Sequence, residues 1–581
     1  MSSNVRSRVP IRVLSLGLLL LLAGLAGASA VQAPAKTASP WAKPWPAEFD
    51  GCTSIMVGRL ASTDGSVMTA HTCDGPYRQW VTIVPHAKYP AGAKTKIYSG
   101  LMHTETPVEM RNVKVTGEIP QAAETYAFMN TAYPCMNEAG LAIGETTIGG
   151  RRELYNPEGQ LMIEEIERLI LERCKTAREA IKLAGELIKT YGYGDFGECI
   201  TIADAKEVWH LEIFGEGPLQ KGGVWAAVRI PDDHVGISAN IPRISEVDPK
   251  NPDRYMASEN VFKLAEEMGW YDPAKGEPFK FWKAYSGMRP YSIRDFYVLS
   301  TLAPSLGLKM DLPELPFSVK SEKKLSVSDV LKYYRETYAG TEWDPTKNLM
   351  IPRRQMMGRP GGGPPPAAGA KPGNPPQGAP QTPAPAQAPE MVKSPLAQPF
   401  LSGDLIQLVN ALKPGTIVNQ RAIAISGCSY ATVLQCRSNL PPAIGTVCWF
   451  AFDNPGLSPR IPIYAGVTTL PPSFAICGQW RYRMDSATWM FRRTNRLATI
   501  KWGATQKIME DNLAAFEKKA LLEMPVVEKT YLDMLASKTP EKLPFTPAEY
   551  LTQYCNDFAH AAMSKSIELG DQFMFLLRGG L

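Results

Sequence analysis

The sequence Gly51-Cys52-Thr53-Ser54-Ile55 opens a short apolar segment, and Ser62-Thr63-Asp64-Gly65 separates it from a second one, Ser66 to Ala70. An Asp-Gly pair between two alternating apolar segments is a strong signal for a β-hairpin. A turn centred on Asp64-Gly65 would place Cys52 opposite residues 75 to 77. The second strand ends in His71-Thr72-Cys73-Asp74. The hairpin alone therefore predicts that a thiol, an imidazole and a carboxylate lie near one another.

Further strands are predicted on both sides of a long helix. Apolar residues between Ile163 and Ile188 recur at helical spacing, which predicts one amphipathic helix. Two helical regions close the chain, near Thr505–Leu535 and Pro547–Leu577, and Pro525 should break or kink the first of them. This order predicts a layered α+β domain. The predicted strands are Leu141–Thr146, Cys199–Ala203, Val208–Ile213, Val224–Val228, Arg421–Ser426, Tyr430–Gln435, Gly445–Ala451 and Ile461–Val467.

Residues 1–30 have the three parts of a secretory signal peptide. Three arginines precede the apolar run Val13–Gly27, which ends at Ala28-Ser29-Ala30. An uncleaved anchor is the alternative, but the apolar run is short for a membrane-spanning helix. We expect cleavage after Ala30, no stable membrane anchor afterwards, and a periplasmic or secreted protein. Residues 31–51, which are rich in Pro and Trp, are then a pro-segment.

The composition is that of a globular protein, with 581 residues of which 44% are hydrophobic and 20% charged. A net charge of +5 without a dense basic block gives no support for a nucleic-acid partner. One segment differs from the rest. Residues 357–389 are almost entirely Pro, Gly, Ala and Gln, which predicts a disordered, extended insert within the domain.

Metal-binding patterns are missing from the sequence. The chain has six His and ten Cys, and no two Cys form a C-x-x-C pair, so neither a multi-His centre nor a zinc ribbon is supported. We predict no metal and no other cofactor. Disulfides are permitted in an exported protein, but their pairing cannot be read from the sequence. Cys428, Cys436 and Cys448 lie in strand-like sequence and are expected to be buried.

Several separated motifs resemble the dipeptidase A family. The hairpin motifs Cys-Thr-Ser-Ile-x-Val-Gly, Asp-Gly-Ser and His-Thr-Cys-Asp are similar to the mature start of that family. The family belongs to the cysteine N-terminal-nucleophile (Ntn) hydrolases, with the secernins as relatives and the bile-salt and penicillin V hydrolases as distant ones. The further motifs, in the same order, are Met136–Thr147, Trp225–Asp233, Ser238–Pro242, Leu302–Ser305, Cys428–Tyr430 and Trp449–Asp453.

The resemblance implies a four-layer αββα fold with additional C-terminal helices, formed by one domain over residues 52–581. It also implies that Cys52 becomes the N-terminus of the mature enzyme, so that the chain is made as a zymogen. A thiol of ordinary pKa, about 8.5, is only partly ionised at neutral pH, whereas an N-terminal α-amine of pKa about 7.7–8.0 can act as its base. The implied activity is hydrolysis of dipeptides or other short peptides.

Further site residues follow from the resemblance. Asp74 corresponds to a carboxylate beside the amine and the thiol, and Asn240 to a residue near the amine and the oxyanion. Thr147, or Thr146 after a one-residue slip, falls at a second oxyanion position. Arg294 is a candidate site arginine, which would contact the oxyanion or the substrate.

His71 stands where the distant hydrolases carry Arg, and it is a candidate for a local polar role in oxyanion or substrate binding. Structural roles are open for three of these residues. Asp74 could cap a turn, His71 could be an ordinary buried His, and Asn240 could stabilise a loop.

Two other functions stay open at this point. One is an amidase of the same fold that acts on N-acyl amino acids. The other is an inactive exported binding protein, for which the absence of Arg at His71 is the supporting feature. A homo-oligomer is compatible with the sequence.

Overall fold

The computed structural model describes residues 51–104, 113–218, 220–287, 291–353, 390–479 and 481–579. The predicted signal peptide, residues 31–50 of the pro-segment and the 357–389 insert lie outside the described residues. The strands are β1 (Ser54–Val57), β2 (Val67–Asp74), β3 (Thr82–Val84), β4 (Ala87–Lys88), β5 (Lys94–Ser99), β6 (Lys114–Pro120), β7 (Glu124–Thr125), β8 (Phe128–Asn130), β9 (Met136–Asn137), β10 (Ala142–Thr147), β11 (Glu198–Ala203), β12 (Val208–Gly215), β13 (Gly223–Arg229), β14 (His234–Ser238), β15 (Tyr255–Ala257), β16 (Ser318–Lys320), β17 (Met350–Pro352), β18 (Met391–Lys393), β19 (Cys428–Cys436), β20 (Thr446–Phe452) and β21 (Ile461–Tyr464).

Two large antiparallel sheets contain most of these strands. In the described part of the chain, the first sheet has seven strands in the order β16-β14-β1-β2-β19-β20-β21. The second has eight strands in the order β15-β13-β12-β11-β10-β9-β8-β3. The two sheets face each other, with β2 of the first sheet against β10 and β11 of the second. A hydrogen bond of 2.6 Å between Thr69 Oγ1 and Thr201 Oγ1 joins these facing surfaces.

The hairpin forms where the Asp-Gly signal predicts it, but its register differs. Val57 of β1 lies opposite Met68 of β2, and the amide of Thr72 donates to the carbonyl of Thr53 at 3.1 Å. Continued along both strands, this register sets Cys52 opposite Cys73. The predicted position opposite residues 75 to 77 is therefore wrong.

The register differs because the connection is longer than a tight turn. The amides of Leu60 and Ala61 donate to the carbonyl of Asp232 and do not extend the hairpin ladder. Asp64 still closes a local turn, since its Oδ1 accepts from the Ser66 amide at 3.0 Å. A wide loop thus separates two strands that the sequence pattern connects directly.

The helices are α1 (Ile163–Arg173), α2 (Ala177–Tyr191), α3 (Lys263–Glu267), α4 (Phe281–Tyr285), α5 (Ile293–Leu302), α6 (Val327–Tyr333), α7 (Gly403–Leu412), α8 (Pro442–Gly445), α9 (Ala487–Ile500), α10 (Trp502–Leu535) and α11 (Pro547–Leu576). Helices cover both sheets. On the second sheet, α1 contacts β8 and β9, and α2 contacts β11 to β13. On the first sheet, α5 contacts β14, α6 contacts β19, α9 contacts β20 and α11 contacts β21. The predicted mixture of helices and strands is confirmed.

The single helix predicted over Ile163–Ile188 is two helices. The first ends at Arg173, and Thr176 caps the second. The Thr176 hydroxyl accepts from the amide of Glu179, whose carboxylate accepts from the Thr176 amide in return. This capping box satisfies backbone donors that a new helix start leaves open. Both helices bury their apolar face in the same core, so the hydrophobic periodicity continues across the break.

Two other sequence predictions need correction. Residues 421–426, predicted as a strand, form a loop that precedes β19. Pro525 does not break its helix, because α10 runs without interruption from Trp502 to Leu535. Cys428, Cys436 and Cys448 are buried in strands as predicted, and none of them forms a disulfide. Among the described residues, no helix combines the length and apolar character needed to cross a bilayer.

Candidate active site

Cys52 lies just before β1, which is an inner strand of the first sheet, and its exposed fraction is 1%. The next residue is tied to the neighbouring strand, because the Thr53 amide donates to Thr72 Oγ1 at 2.9 Å. The hydroxyl of Tyr334 on the other side donates to the Thr53 carbonyl at 2.9 Å. These bonds fix the backbone on which the thiol stands. Gly51 precedes it, so the Cys52 nitrogen is an amide in this structure.

Asp74 ends β2 and connects to the same backbone through Thr72. Its Oδ2 accepts from the Thr72 hydroxyl at 2.9 Å and from Nη2 of Arg421 at 2.7 Å. The carboxylate is buried, so the ion pair with Arg421 compensates a charge that would otherwise be costly to bury. Asp74 thus positions a guanidinium beside Cys52.

Arg294 is fully buried at the start of α5 and contacts the backbone on both sides of the Gly51–Cys52 bond. Its Nη1 donates to the carbonyl oxygens of Gly51 at 3.2 Å and Cys52 at 2.9 Å. Its Nη2 donates to Asn240 Oδ1 at 2.9 Å. Two of the residues named from the sequence are therefore in direct contact.

Asn240 has a φ of 64°, in the left-handed region where Asn is tolerated better than most residues. This conformation follows the end of β14 and turns the side chain back toward the site. Its Nδ2 donates to the carbonyl of Thr147 at 2.7 Å. Asn240 thus links Arg294 of the first sheet's helix layer to β10 of the second sheet.

Arg421 was not singled out from the sequence, although it contacts two site groups. Besides pairing with Asp74, its Nη2 donates to the Gly51 carbonyl at 2.8 Å. The Gly51 carbonyl therefore accepts from two guanidinium groups, those of Arg294 and Arg421. A signal was present, because a charged residue at the start of the apolar run Ala422–Ile425 fits poorly in a buried strand.

His71 lies on β2 with an exposed fraction of 2%. Its Nδ1 donates to the carbonyl of Glu145 at 2.7 Å, and its ring packs against Tyr133 and Tyr430. Burial lowers the pKa of His71 to about 4, so the imidazole is neutral at pH 7. With Nδ1 as the donor, Nε2 is an acceptor, and it has no hydrogen-bond partner within the described residues.

Glu145 is the second site residue that sequence reasoning missed, although it stands in the Met136–Thr147 motif. A carboxylate oxygen of Glu145, a ring nitrogen of His71 and the Sγ of Cys52 all lie within 4.8 Å of one another. Thr147 Oγ1 donates to Glu145 Oε1 at 3.2 Å. Thr146, the alternative to Thr147, instead pairs through its hydroxyl with Ser238 Oγ at 2.5 Å.

The electrostatics of the site are set by burial of acids beside the thiol. Burial raises the pKa of Glu145 to about 7. Burial, and then the charge of Glu145, raises the pKa of Glu198 well above its usual range. Burial and the charge of Glu145 likewise raise the pKa of the Cys52 thiol. The thiol is therefore protonated in the uncleaved chain.

Cys52, His71 and Glu145 are also the residues of the described chain that come closest to a metal-binding group. Thiolate, imidazole and carboxylate are the ligand types that zinc accepts. The prediction that the protein uses no metal stays a prediction.

Known proteins are similar to this chain over most of its length. A probable dipeptidase of Salmonella dublin is 26% identical over 441 residues, which cover 72% of this chain and 82% of the relative. A probable dipeptidase of Latilactobacillus sakei is 24% identical over 502 residues, covering 83% of this chain and 88% of the relative. A probable dipeptidase B of Lactococcus lactis subsp. lactis is 30% identical over 340 residues, which cover 53% of this chain and 65% of the relative.

Among solved structures, penicillin V acylase from Agrobacterium tumefaciens matches 72% of this chain and 87% of its own at 12% identity. Its TM-score is 0.29, too low to carry an argument about the fold. A comparison with protein families gives a match to peptidase family C69 over residues 51–362 and 405–515, which is more than half of the chain. The resemblance inferred from the separated motifs is thereby confirmed, and the chain belongs to peptidase family C69.

Proposed function

We propose that this protein is a dipeptidase whose nucleophile is the thiol of an N-terminal Cys52, produced by cleavage of the Gly51–Cys52 bond. The observation that carries the proposal is the carbonyl of Gly51, which accepts hydrogen bonds from both Arg294 and Arg421. A carbonyl held by two cations is polarised for attack, and the same donors stabilise the negative oxygen that attack creates. The nucleophile is on the next residue.

Self-cleavage is the reaction that fits this arrangement. The Cys52 sulfur attacks the Gly51 carbonyl carbon, and the carbon–nitrogen bond breaks as the thiol proton ends on the departing nitrogen. The product is a thioester between Gly51 and the Cys52 sulfur, with a free α-amine. Water then hydrolyses the thioester, which gives a Gly51 carboxylate and regenerates the thiol.

In the mature enzyme the same thiol attacks the carbonyl of a short peptide. The α-amine of Cys52, with an ordinary pKa of about 7.7–8.0, takes the thiol proton and later gives it to the leaving amine. An acyl-enzyme forms and water releases the acid. Asp74 holds Arg421 in place. Arg294 and Asn240 position the new N-terminus, and Thr147 orients both Asn240 and Glu145.

The fold that we propose is the four-layer αββα arrangement of the N-terminal-nucleophile hydrolases. Its support is the contact pattern of the described elements, in which the two sheets face each other and each is in contact with helices. Helices α10 and α11 are then the additional C-terminal elements.

Export is also a proposal, and its support is the sequence of residues 1–30. We propose a periplasmic or secreted enzyme whose signal peptide is removed first and whose pro-segment, residues 31–51, is removed by the cleavage described above. Its partners are then short peptides, with neither nucleic acid nor a stable membrane anchor involved.

The test combines the N-terminal residue with a substrate panel. Active protein should begin with Cys52 when sequenced from its N-terminus, and Cys52→Ala should stay uncut and inactive while remaining folded. Dipeptides should be hydrolysed faster than N-acyl amino acids. Full activity from protein that begins at Val31 would contradict the mechanism. Preference for N-acyl amino acids would identify an amidase, and a correctly cut protein that hydrolyses neither would identify a binding protein.

A further inference from the structure

The carboxylate of Glu145 is placed beside the nucleophile with one oxygen unused. Glu145 is fully buried, and Thr147 occupies only Oε1. Its Oε2 is buried and has no hydrogen-bond partner within the described residues. Within the described residues, Oε2 of Glu145 lies 3.6 Å from Nδ1 of His71. This contact is not an ion pair at pH 7, because His71 is neutral there. A buried carboxylate without a cation or a full set of donors is costly, so this oxygen is suited to a cationic ligand.

A dipeptide brings a cation to this place. In its N-terminal residue, one carbon separates the α-ammonium nitrogen from the carbonyl carbon that the thiol attacks. Standard bond lengths and angles put these two atoms about 2.5 Å apart. When the carbonyl carbon meets the Cys52 sulfur, the ammonium must therefore lie within a few ångströms of that sulfur. One carboxylate oxygen of Glu145 lies within 4.8 Å of the same sulfur, so an ammonium group on the Glu145 side of the sulfur can contact it.

We propose that Glu145 binds the α-ammonium group of the substrate and so restricts the enzyme to peptides with a free N-terminus. This inference rests on the proposed dipeptidase function and adds a substrate class to it. An N-acylated peptide has neither the positive charge nor the three donors of an ammonium group. It would leave the Glu145 carboxylate buried and unpaired, and it would place an acyl group against it.

The neighbouring acid, Glu198, is protonated at neutral pH, because burial and then the charge of Glu145 raise its pKa well above the usual range. The pKa of Glu145, about 7, leaves that side chain about half ionised at pH 7. An ammonium group beside it favours the charged form, so that one carboxylate charge faces one ammonium charge, which is the balance that a buried ion pair requires.

Substrate binding would also ease ionisation of the nucleophile. The charge of Glu145 is one cause of the raised pKa of the Cys52 thiol, after burial. An ammonium group on Glu145 cancels that charge, so the thiolate forms more easily when the correct substrate is bound. The same carboxylate would thus select the substrate and couple its binding to activation of the thiol.

The experiment compares alanyl-alanine with N-acetyl-alanyl-alanine as substrates of the mature protein and of its Glu145→Gln variant. We expect the wild type to prefer the free amine. In the variant kcat/KM for the free amine should fall about a hundredfold, while kcat/KM for the acetylated peptide stays equal or rises. Glu167→Gln is the matched control, because Glu167 is equally buried and both its oxygens lack a partner within the described residues. It should keep the wild-type preference.

The outcomes separate this inference from the dipeptidase proposal. If the wild type hydrolyses alanyl-alanine but Glu145→Gln leaves the preference unchanged, only the ammonium site is refuted. If the wild type prefers the acetylated peptide, the dipeptidase function itself is wrong. Should Glu145→Gln fail to mature, competition on the wild type decides, since alaninol should inhibit at concentrations where N-acetyl-alaninol does not. Equal inhibition by both would overturn the inference.

Discussion

Gly51 is packed so closely that no larger residue fits without movement of the site. A Cβ built on it would lie 2.3 Å from Nδ2 of Asn240. A Cβ does not approach a nonbonded atom so closely, so a side chain at position 51 must displace either Asn240 or the carbonyl of residue 51. That carbonyl is the group that Arg294 and Arg421 hold. The requirement for glycine here is thus one of space beside the bond that we propose is cut.

Gly51→Ala should slow precursor cleavage while leaving Cys52 intact. A misplacement of about 1 Å at a reacting carbonyl can cost about a hundredfold in rate, and we expect a loss of that order. The measurement is the fraction of uncut chain over time by mass spectrometry. Gly403→Ala is the control, because a Cβ there meets nothing within 4 Å, and it should be cut at the wild-type rate. If Gly51→Ala is cut at the wild-type rate, the packing of Gly51 against Asn240 is not required for precursor cleavage.

Arg421→Met should also slow cleavage, for an electrostatic reason. It removes one donor from the Gly51 carbonyl and leaves Asp74 buried without its cation. Loss of one oxyanion donor costs about 10²–10³ in rate, which is the decrease expected in the same mass-spectrometric assay. Arg421→Lys should recover part of the rate because it keeps the charge.

The control for this charge removal is Arg493→Met, whose partner Asp571 is largely exposed, so the pair contributes little. It should be cut normally. Cleavage of Arg421→Met at the wild-type rate would exclude Arg421 from the reaction.

Sequence reasoning located this site through local motifs, and it failed where residues meet over long distances. The six residues named from the sequence all belong to one network in the structure. Arg421 reaches Asp74 across 347 positions, and no pattern in the chain predicts that contact. Glu145 was missed for another reason. Its position in a strand of apolar and small residues indicates which motif it belongs to, but only the packing of β10 against β2 shows that it faces the thiol.

At the scale of elements, α1 carries an unusual group of buried acids. Glu164, Glu165 and Glu167 are all buried in this helix. Burial, and then the charge of Glu165, raises the pKa of Glu164 to about 8. A carboxyl group whose pKa is raised in the folded state binds its proton more tightly there than in the unfolded chain. Its contribution to stability is therefore complete below pH 4.5 and is lost as the pH rises toward 8.

Glu164→Gln should remove this dependence, since an amide resembles the protonated acid. We expect the variant to have a higher thermal midpoint than the wild type at pH 8, by the equivalent of a few kcal/mol, on the order of 1.4 kcal/mol for each unit of pKa shift. At pH 4.5 the two midpoints should nearly coincide. Thermal unfolding followed by circular dichroism at both values measures the difference. An advantage of equal size at both pH values would refute titration of Glu164 as the cause.

The longer strands were largely predictable, whereas short strands, breaks and connections were not. Strands β10 to β13 of the second sheet were predicted within about two residues because their apolar runs are short and end at polar residues. The short strands β3, β8, β9 and β15 of the same sheet were not predicted. The split between α1 and α2 was missed because apolar periodicity continues through it. Thr176-x-x-Glu179 was the available signal. The apolar sequence of residues 421–426 predicts a strand, but the segment forms a loop in which Arg421 pairs with Asp74.

At the scale of the whole molecule, the 357–389 segment lies in the sequence between two strands that pair with each other. Strands β17 and β18 pair antiparallel, and the Arg353 amide donates to the carbonyl of Glu390 at 2.7 Å. The residues on either side of the segment are thus held together by a short ladder. A connection of a few residues can close such a ladder.

Deletion of 357–389 should leave folding and activity nearly unchanged, because Arg354, Gln355 and Met356 remain to connect the ladder. Shortening a loop changes its closure entropy little, by about 0.6 kcal/mol for each halving of length. We expect a thermal midpoint within a few degrees of the wild type and an unchanged kcat/KM on dipeptides. Normal folding with loss of hydrolysis would show that the segment contributes to the active site.

The two guanidinium groups on the Gly51 carbonyl have a consequence for timing. They come from positions 243 and 370 residues further along the chain, and Arg421 follows the 357–389 segment. While the chain is being synthesised or exported from its N-terminus, the bond after Gly51 emerges long before either arginine. Under the proposed self-cleavage, that bond stays intact until the loop that carries Arg421, just before β19, has docked. Release of the pro-segment would then act as a checkpoint, because a chain that stalls, is truncated or misfolds before Arg421 arrives keeps its nucleophile blocked and cannot hydrolyse peptides.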